Sequence, residues 1–287
     1  MALPFRLMGI LNVTPDSFSD GGRYLDPQTA IAHGVELAKQ GADIIDVGGE
    51  STRPGAESVT VEQELRRVVP VVEGLVERLP GVQISIDTSK REVAERALAA
   101  GASFVNDVSA FRGDPQMAAV VAESGADCCL MHMQGLPRTM QKDPHYENVV
   151  REVRAFLEER IAFAVAEGVS EDRIMIDPGI GFGKTITHNL ELLRHLQELS
   201  ALGRPIVIGT SRKGFIGTIL AAARGGHESD PEDRLTGTLA SCVLALERGA
   251  SVFRVHDVAP ARDALGVAAA TLHGTWTTTN KTSPTSS

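Results

Sequence analysis

No apolar run in this 287-residue chain approaches the ~20 residues that span a bilayer, so a membrane-spanning protein is not expected. Basic runs are missing too. With a net charge of −9 and a pI near 5.4, nucleic acid is not an expected partner, and any anionic ligand needs a local cationic site. Cysteine is scarce: there are three, without metal-ligand spacing, which points to a reducing, cytoplasmic setting. Cys128 and Cys129 are adjacent on an expected strand, so they face opposite ways and cannot readily share a disulfide or a metal. Met1-Ala2-Leu3-Pro4-Phe5-Arg6 lacks a basic region followed by an apolar core, so no signal peptide is expected.

What is present is ordinary in bulk and patterned in detail. Hydrophobic residues make up 43% and charged residues 23%, as in a globular protein. Short apolar runs at 7–11, 44–47, 82–86, 104–105, 128–131, 174–176, 206–208 and 252–255 read as buried strands. Helical patterns fall at 27–40, 61–79, 90–100, 115–124, 146–167, 189–199, 214–248 and 259–272. Gly41-Ala42, Gly101-Ala102, Gly125-Ala126 and Gly249-Ala250 repeat one helix-to-strand connection, with glycine as the helix stop. A repeated strand–helix unit with right-handed crossovers makes the strands parallel, and eight units in ~250 residues fit a (β/α)8 barrel better than an open doubly wound sheet. One domain is expected over 1–273. The Thr/Ser-rich tail 274–287, which carries the only tryptophan, Trp276, reads as disordered.

In such a barrel the chemistry belongs at the C-terminal strand ends. Polar residues stand there in every unit: Asn12, the run Glu50-Ser51-Thr52-Arg53, Asp87, Asn106, His132, Asp177, Ser211-Arg212-Lys213, and Arg254 with His256. The central stretch is Asp177-Pro178-Gly179-Ile180-Gly181-Phe182-Gly183-Lys184-Thr185. Its end imitates a phosphate-binding P-loop, but Pro178 occupies the first glycine position and has no N–H to offer. Carboxylates Asp87 and Asp177, the amide of Asn106 and Lys213 suit a flat heterocycle rich in N–H groups, such as an aminopyrimidinone. Arg254, His256 and Arg53 suit phosphate oxygens. Neutral Asn12 offers one oxygen to a Mg²⁺ that phosphates also hold. Blander readings stand beside these: Asp87 and Asp177 as helix caps, Asn106 as a loop tie, Arg212 and Lys213 as solvated cations, His132 as structural, and Asp43, Asp46 and Asp107 as structural hydrogen-bond acceptors.

Met8-Gly9-Ile10-Leu11-Asn12-Val13-Thr14-Pro15-Asp16-Ser17-Phe18-Ser19-Asp20-Gly21-Gly22 and Gly49-Glu50-Ser51-Thr52-Arg53-Pro54-Gly55 resemble the first and second signatures of the dihydropteroate synthases. The Asp177–Lys184 stretch and Ser211-Arg212-Lys213-Gly214-Phe215 are similar to two more, the likeness runs from Leu7 to His256, and 225–233 looks like a variable loop. The resemblance implies a barrel transferase of folate biosynthesis, the sulfonamide target. It would join 6-hydroxymethyl-7,8-dihydropterin diphosphate to 4-aminobenzoate. It implies that Asp87, Asn106, Asp177 and Lys213 hold the pterin, with Met131 and Gly209 lining its pocket. Asn12, Arg254 and His256 would bind diphosphate and Mg²⁺; Thr52, Arg53, Pro54, Phe182, Ser211 and Lys213 would border the aminobenzoate. Asp87, Asp177, Lys213 and Arg254 would carry the chemistry, loops bearing Asp20 and Arg53 would close over it, and the chain would be a homodimer. A pterin-binding methyl-transfer barrel and a non-catalytic paralogue are the alternatives.

Overall fold

A computed structural model describes residues 4–14, 26–51, 59–135, 139–226 and 230–274. Every apolar run becomes a strand: β1 (Arg6–Asn12), β2 (Ile44–Gly48), β3 (Gln83–Asp87), β4 (Phe104–Asp107), β5 (Asp127–Met131), β6 (Ile174–Asp177), β7 (Ile206–Ile208) and β8 (Ala250–Val255). They pair in parallel and in chain order, and β1 closes on β8. The barrel expectation therefore holds and the open sheet does not.

The helices are α1 (Pro27–Lys39), α2 (Val61–Arg78), α3 (Arg91–Ala99), α4 (Met117–Ser124), α5 (Val149–Ala166), α6 (Ile186–Arg194), α7 (Gly214–Ala223), α8 (Leu235–Glu247) and α9 (Val258–His273). The glycines of the four Gly-Ala connections all have positive φ, as a left-handed helix stop requires. Two helical expectations need correction. The helical region 214–248 is two helices, broken within the stretch 225–233 expected as a variable loop: Gly225 and Gly226 turn the chain with φ of 79° and 97°, and Pro231–Arg234 forms a 3-10 turn before α8. The 189–199 pattern starts earlier, where Thr185 and His188 cap α6 reciprocally, and stops at Arg194, where 3-10 turns take over.

Side chains alternate across each strand. Outward residues such as Leu7, Ile45, Ile86, Val105, Cys128, Ile176, Ile208 and Phe253 pack beneath the helices. Inward residues Met8, Ile44, Phe104, Cys129, Met175, Val207 and Val252 form a separate plug inside the barrel. The two adjacent cysteines thus lie on opposite sides of the sheet, and all three are buried thiols. No helix among the described residues is long and apolar enough to cross a membrane. Trp276 and residues 275–287 lie outside the described residues.

Candidate active site

One step toward the C-terminal end from the apolar plug, the inward positions turn polar. The register sets Gly48 beside both Asn12 and Asp87, Asp87 beside Asn106, and Met131 beside Asp177. Asp46 is fully buried there and accepts three hydrogen bonds: from Ser85 Oγ at 2.5 Å, Asn106 Nδ2 at 3.0 Å and Arg254 Nε at 2.6 Å. Arg254 reaches on to Asp87 Oδ2, also at 2.6 Å. Its guanidinium therefore bridges two carboxylates contributed by separate strands.

Burial opposes charge here, and the titrations are displaced accordingly. Asp87 is pushed up to about 7, chiefly by burial, with Asp46 adding repulsion and Arg254 pulling the other way. Asp177 is also raised by burial, against the attraction of Lys213 and a hydrogen bond from the Gly179 N–H at 2.7 Å. Lys213 is lowered to about 8 by burial, which Asp177 partly offsets. Its ammonium donates to the Ile180 carbonyl and lies 4.5 Å from the centre of the Phe182 ring. Arg254 is held above its ordinary value: burial opposes its charge, but Asp46 and Asp87 outweigh it.

The segment after β6 owes its course to close approach as well as turning. A Cβ on Gly179 would stand 1.8 Å from the His132 carbonyl oxygen, and one on Gly183 would stand 2.4 Å from that of Gln134. Lys184, in the place of a P-loop lysine, turns inward instead. Its Nζ lies 2.9 Å from His132 Nδ1 and donates to the Phe182 carbonyl at 2.9 Å. Burial and the Lys184 cation hold His132 at about 2, so it is a neutral partner. The structural reading of His132 holds, and the P-loop is excluded a second time.

Beyond β7, Arg212 has φ of 58°, a strained conformation for a side-chain-bearing residue. Thr238 Oγ1 accepts from its N–H at 3.1 Å, Arg234 donates to its carbonyl, and its guanidinium pairs with Asp257 at 3.0 and 2.6 Å. This brace sets the flanking Ser211 and Lys213. Ser211 Oγ accepts from the His256 N–H at 3.2 Å and lies 3.0 Å from its Nδ1. Buried Met131 clusters with Val108, Met133 and Met140 against Phe182, giving the mouth an apolar wall. Gly209 stands against the Arg254 stem, where a Cβ would lie 3.9 Å from Arg254 Cβ.

The structure thus gathers Asp87, Asn106, Asp177, Lys213 and Arg254, with Met131, Phe182, Gly209, Ser211 and His256 around them. Asp20, Thr52, Arg53 and Pro54 lie outside the described residues. The helix-cap readings fail: Lys90 precedes α3 without a side-chain cap, and Thr185 caps α6. Asn106 donates to Asp46 rather than holding a loop, and neither Arg212 nor Lys213 is merely solvated. Asp43 and Asp107 are structural, accepting from Leu7 N–H and from Ser109 and Phe111 N–H respectively. Asp46 is not just structural, since two of its three partners are site residues. Sequence reasoning missed that role; a lone acid inside the apolar run 44–47 was the available signal.

Comparison with known proteins agrees with this geometry. The family profile described as "Pterin binding enzyme" matches residues 8–256. The dihydropteroate synthase of Escherichia coli K12 is 46% identical over 93% of this chain and 91% of its own length. That of Mycobacterium leprae is 49% identical over 94% of each. A solved dihydropteroate synthase of Xanthomonas albilineans with 4-aminobenzoic acid superposes with a TM-score of 0.85 at 49% identity, covering 93% of both chains. With most of its length matched at this identity, the chain belongs to the dihydropteroate synthase family of pterin binding enzymes.

Proposed function

We infer that this barrel condenses 6-hydroxymethyl-7,8-dihydropterin diphosphate with 4-aminobenzoate, giving 7,8-dihydropteroate and diphosphate in folate biosynthesis. It is a transferase of the alkyl-to-arylamine kind. The observation that carries the reading is the buried set of Asp87, Asn106 and Asp177, with half-buried Lys213, around Arg254, in a chain whose solved relatives include a Xanthomonas albilineans synthase in complex with 7,8-dihydropteroate.

In this reading Asp87, Asn106 and Asp177 meet the N–H edge of the pterin and Lys213 meets its carbonyl. The C–O bond between the pterin methylene and diphosphate breaks first, and the electron pair leaves on the diphosphate oxygen. Arg254 and His256 face that charge, while Asp177 stabilises the positive charge spread over ring and methylene. The neutral aniline nitrogen then forms the new C–N bond and loses its proton. Phe182 and Ser211 border that amine, together with Thr52, Arg53 and Pro54. Asp20 and Arg53 would help to exclude water from the reacting groups.

Mg²⁺ fits the donor set as a diphosphate-bound cofactor. Among the described residues no group of three or more His, Cys, Asp or Glu could cage a metal, but the Asn12 side-chain oxygen Oδ1 borders the space left by Gly48. Asn12 would hold it with substrate oxygens and water, and it would neutralise leaving charge. A homodimer in the cytoplasm completes the proposal, testable by sedimentation and fractionation.

The deciding assay follows diphosphate release and pteroate formation together, with and without 4-aminobenzoate and with Mg²⁺ present or chelated. One diphosphate per pteroate, lost on chelation, is expected. Pterin binding without either product would instead indicate a silent paralogue or a methyl-transfer relative.

A further inference from the structure

The turn after β6 is gripped by side chains. Four successive carbonyls, from Ile180 to Gly183, each accept from one. The donors are Lys213 at Ile180, Gln141 Nε2 at Gly181 (2.5 Å), Lys184 Nζ at Phe182 (2.9 Å) and Tyr146 Oη at Gly183 (2.8 Å). From the other side, Asn189 Oδ1 accepts from the Gly181 N–H at 2.7 Å. Lys213 belongs to the site already described, whereas Lys184 and Tyr146 have been given no part in it. Both are buried, at 3% and 9% exposure. Burial depresses the Lys184 amine and raises the Tyr146 hydroxyl, which therefore keeps the proton it donates. Behind the turn, Lys184 Nζ lies 2.9 Å from His132 Nδ1, and the Tyr146 ring meets that of His188 edge-on at 4.9 Å. The residue held between these ties is Phe182. Its ring packs against Met131, Met133 and Met140 and lies 4.5 Å from Lys213 Nζ.

We propose that Tyr146 and Lys184 are positioning residues for the acceptor substrate. They fix the carbonyls of Phe182 and Gly183, and so set the Phe182 ring where 4-aminobenzoate is held, leaving pterin binding to Asp87, Asn106, Asp177 and Lys213. This rests on the reading of Phe182 as a border of the aminobenzoate site. The partition follows from the contacts. Among the described residues Tyr146 bonds Gly183 and meets the rings of His132 and His188, and it bonds no residue of the pterin set. Lys184 also acts on Asp177 through its charge, so Tyr146 is the cleaner probe.

The test is Tyr146→Phe, which removes one oxygen and keeps the ring, with Lys184→Met beside it. For each variant kcat and both KM values are measured, pterin diphosphate affinity by direct titration, and Tm alongside. Tyr146→Phe is expected to raise the KM for 4-aminobenzoate about fivefold, with kcat and pterin diphosphate affinity within about twofold of wild type. Lys184→Met should raise the same KM about tenfold. A KM for 4-aminobenzoate that stays put in Tyr146→Phe overturns the proposal, as does a parallel loss on both substrates that tracks a falling Tm. Should Lys184→Met not fold, Tyr146→Phe decides alone, since it loses only a hydroxyl. Phe182→Leu separates the two ideas. If it raises the KM for 4-aminobenzoate and Tyr146→Phe does not, the positioning role alone is wrong. If Phe182→Leu leaves that KM unchanged, the reading of Phe182 fails and takes the proposal with it.

Discussion

The barrel is polar at both ends, and the ends are built differently. At the N-terminal end, Arg6 donates to Gln83 at 2.5 Å, and Gln83 donates to Asp127 at 2.8 Å and to the Ser103 carbonyl at 3.3 Å. Arg173 pairs with Asp127 at 3.3 Å. That chain of contacts reaches water, with the Arg173 side chain 47% exposed and that of Asp127 23%. At the C-terminal end Asp46 is fully buried, Asp87 is 9% exposed and Asp177 7%. Asp87 gives one oxygen to Arg254 and Asp177 one to the Gly179 N–H. A carboxylate can accept about four hydrogen bonds, so both keep capacity for a ligand. A ring of polar residues does not make a site. Buried charge with unused bonding capacity does, because a ligand can replace the water those groups lost.

Removing the central cation is the harshest way to break this contrast. Arg254→Met leaves Asp46 and Asp87 buried without their partner, and the expected loss of stability is about 3–5 kcal/mol by denaturant titration. Turnover should fall by a factor on the order of 10²–10³, as when one preorganised donor to a leaving charge is removed. Next comes Lys213→Ala, for which a drop on the order of 10² in kcat/KM and weaker pterin binding are expected. Wild-type turnover with wild-type pterin affinity in that variant would remove Lys213 from the site.

The pH dependence sharpens the contrast further. Asp87 must ionise to accept pterin N–H groups, so kcat/KM should fall as pH drops through about 7. Lys213 must stay protonated to donate, so it should also fall as pH rises through about 8. Asp46→Asn removes a charge that raises Asp87, so the acidic limb should move to lower pH. Stability follows linkage. Between 3.8 and about 7 the folded chain holds the Asp87 proton more tightly than the unfolded chain, so this residue's contribution declines as pH rises there. From about 8 to 10.5 the unfolded chain holds the Lys213 proton more tightly, and stability rises with pH. Calorimetry across both windows, compared with Asp87→Asn and Lys213→Met, checks both signs.

The strand ends were legible where an apolar run stops at a polar residue, and periodicity fixes which residues face inward. Asn12, Asp87, Asn106 and Asp177 could be read in that way. Asp46 could not: it lies inside its strand, and its partners Asn106 and Arg254 are 60 and 208 residues away, joined only by barrel closure. Pro178 ruled out a P-loop from sequence, but the actual place of Lys184 could not be read, because its side chain answers to His132 on another strand's loop. The pairing of Glu50 with Lys90 was hidden in the same manner, across 40 residues. The division of 214–248 was legible in part, since the polar, glycine-bearing stretch 225–233 separates two apolar halves.

Arg173→Ala gives the smallest expected effect and probes the other half of the contrast. Its pair with Asp127 is largely solvated, and such pairs contribute roughly 0.2–1 kcal/mol. Asp127 keeps its bond from Gln83, so no buried charge is stranded. The denaturation midpoint should move slightly, and kcat and both KM values should match wild type. The apolar plug of Met8, Ile44, Phe104, Cys129, Met175, Val207 and Val252 separates this end from the mouth and holds no charge that could relay the change. A drop in kcat/KM without a matching loss of stability would show that the plug transmits a displacement from one polar end to the other, and the two ends would then have to be treated as one coupled unit.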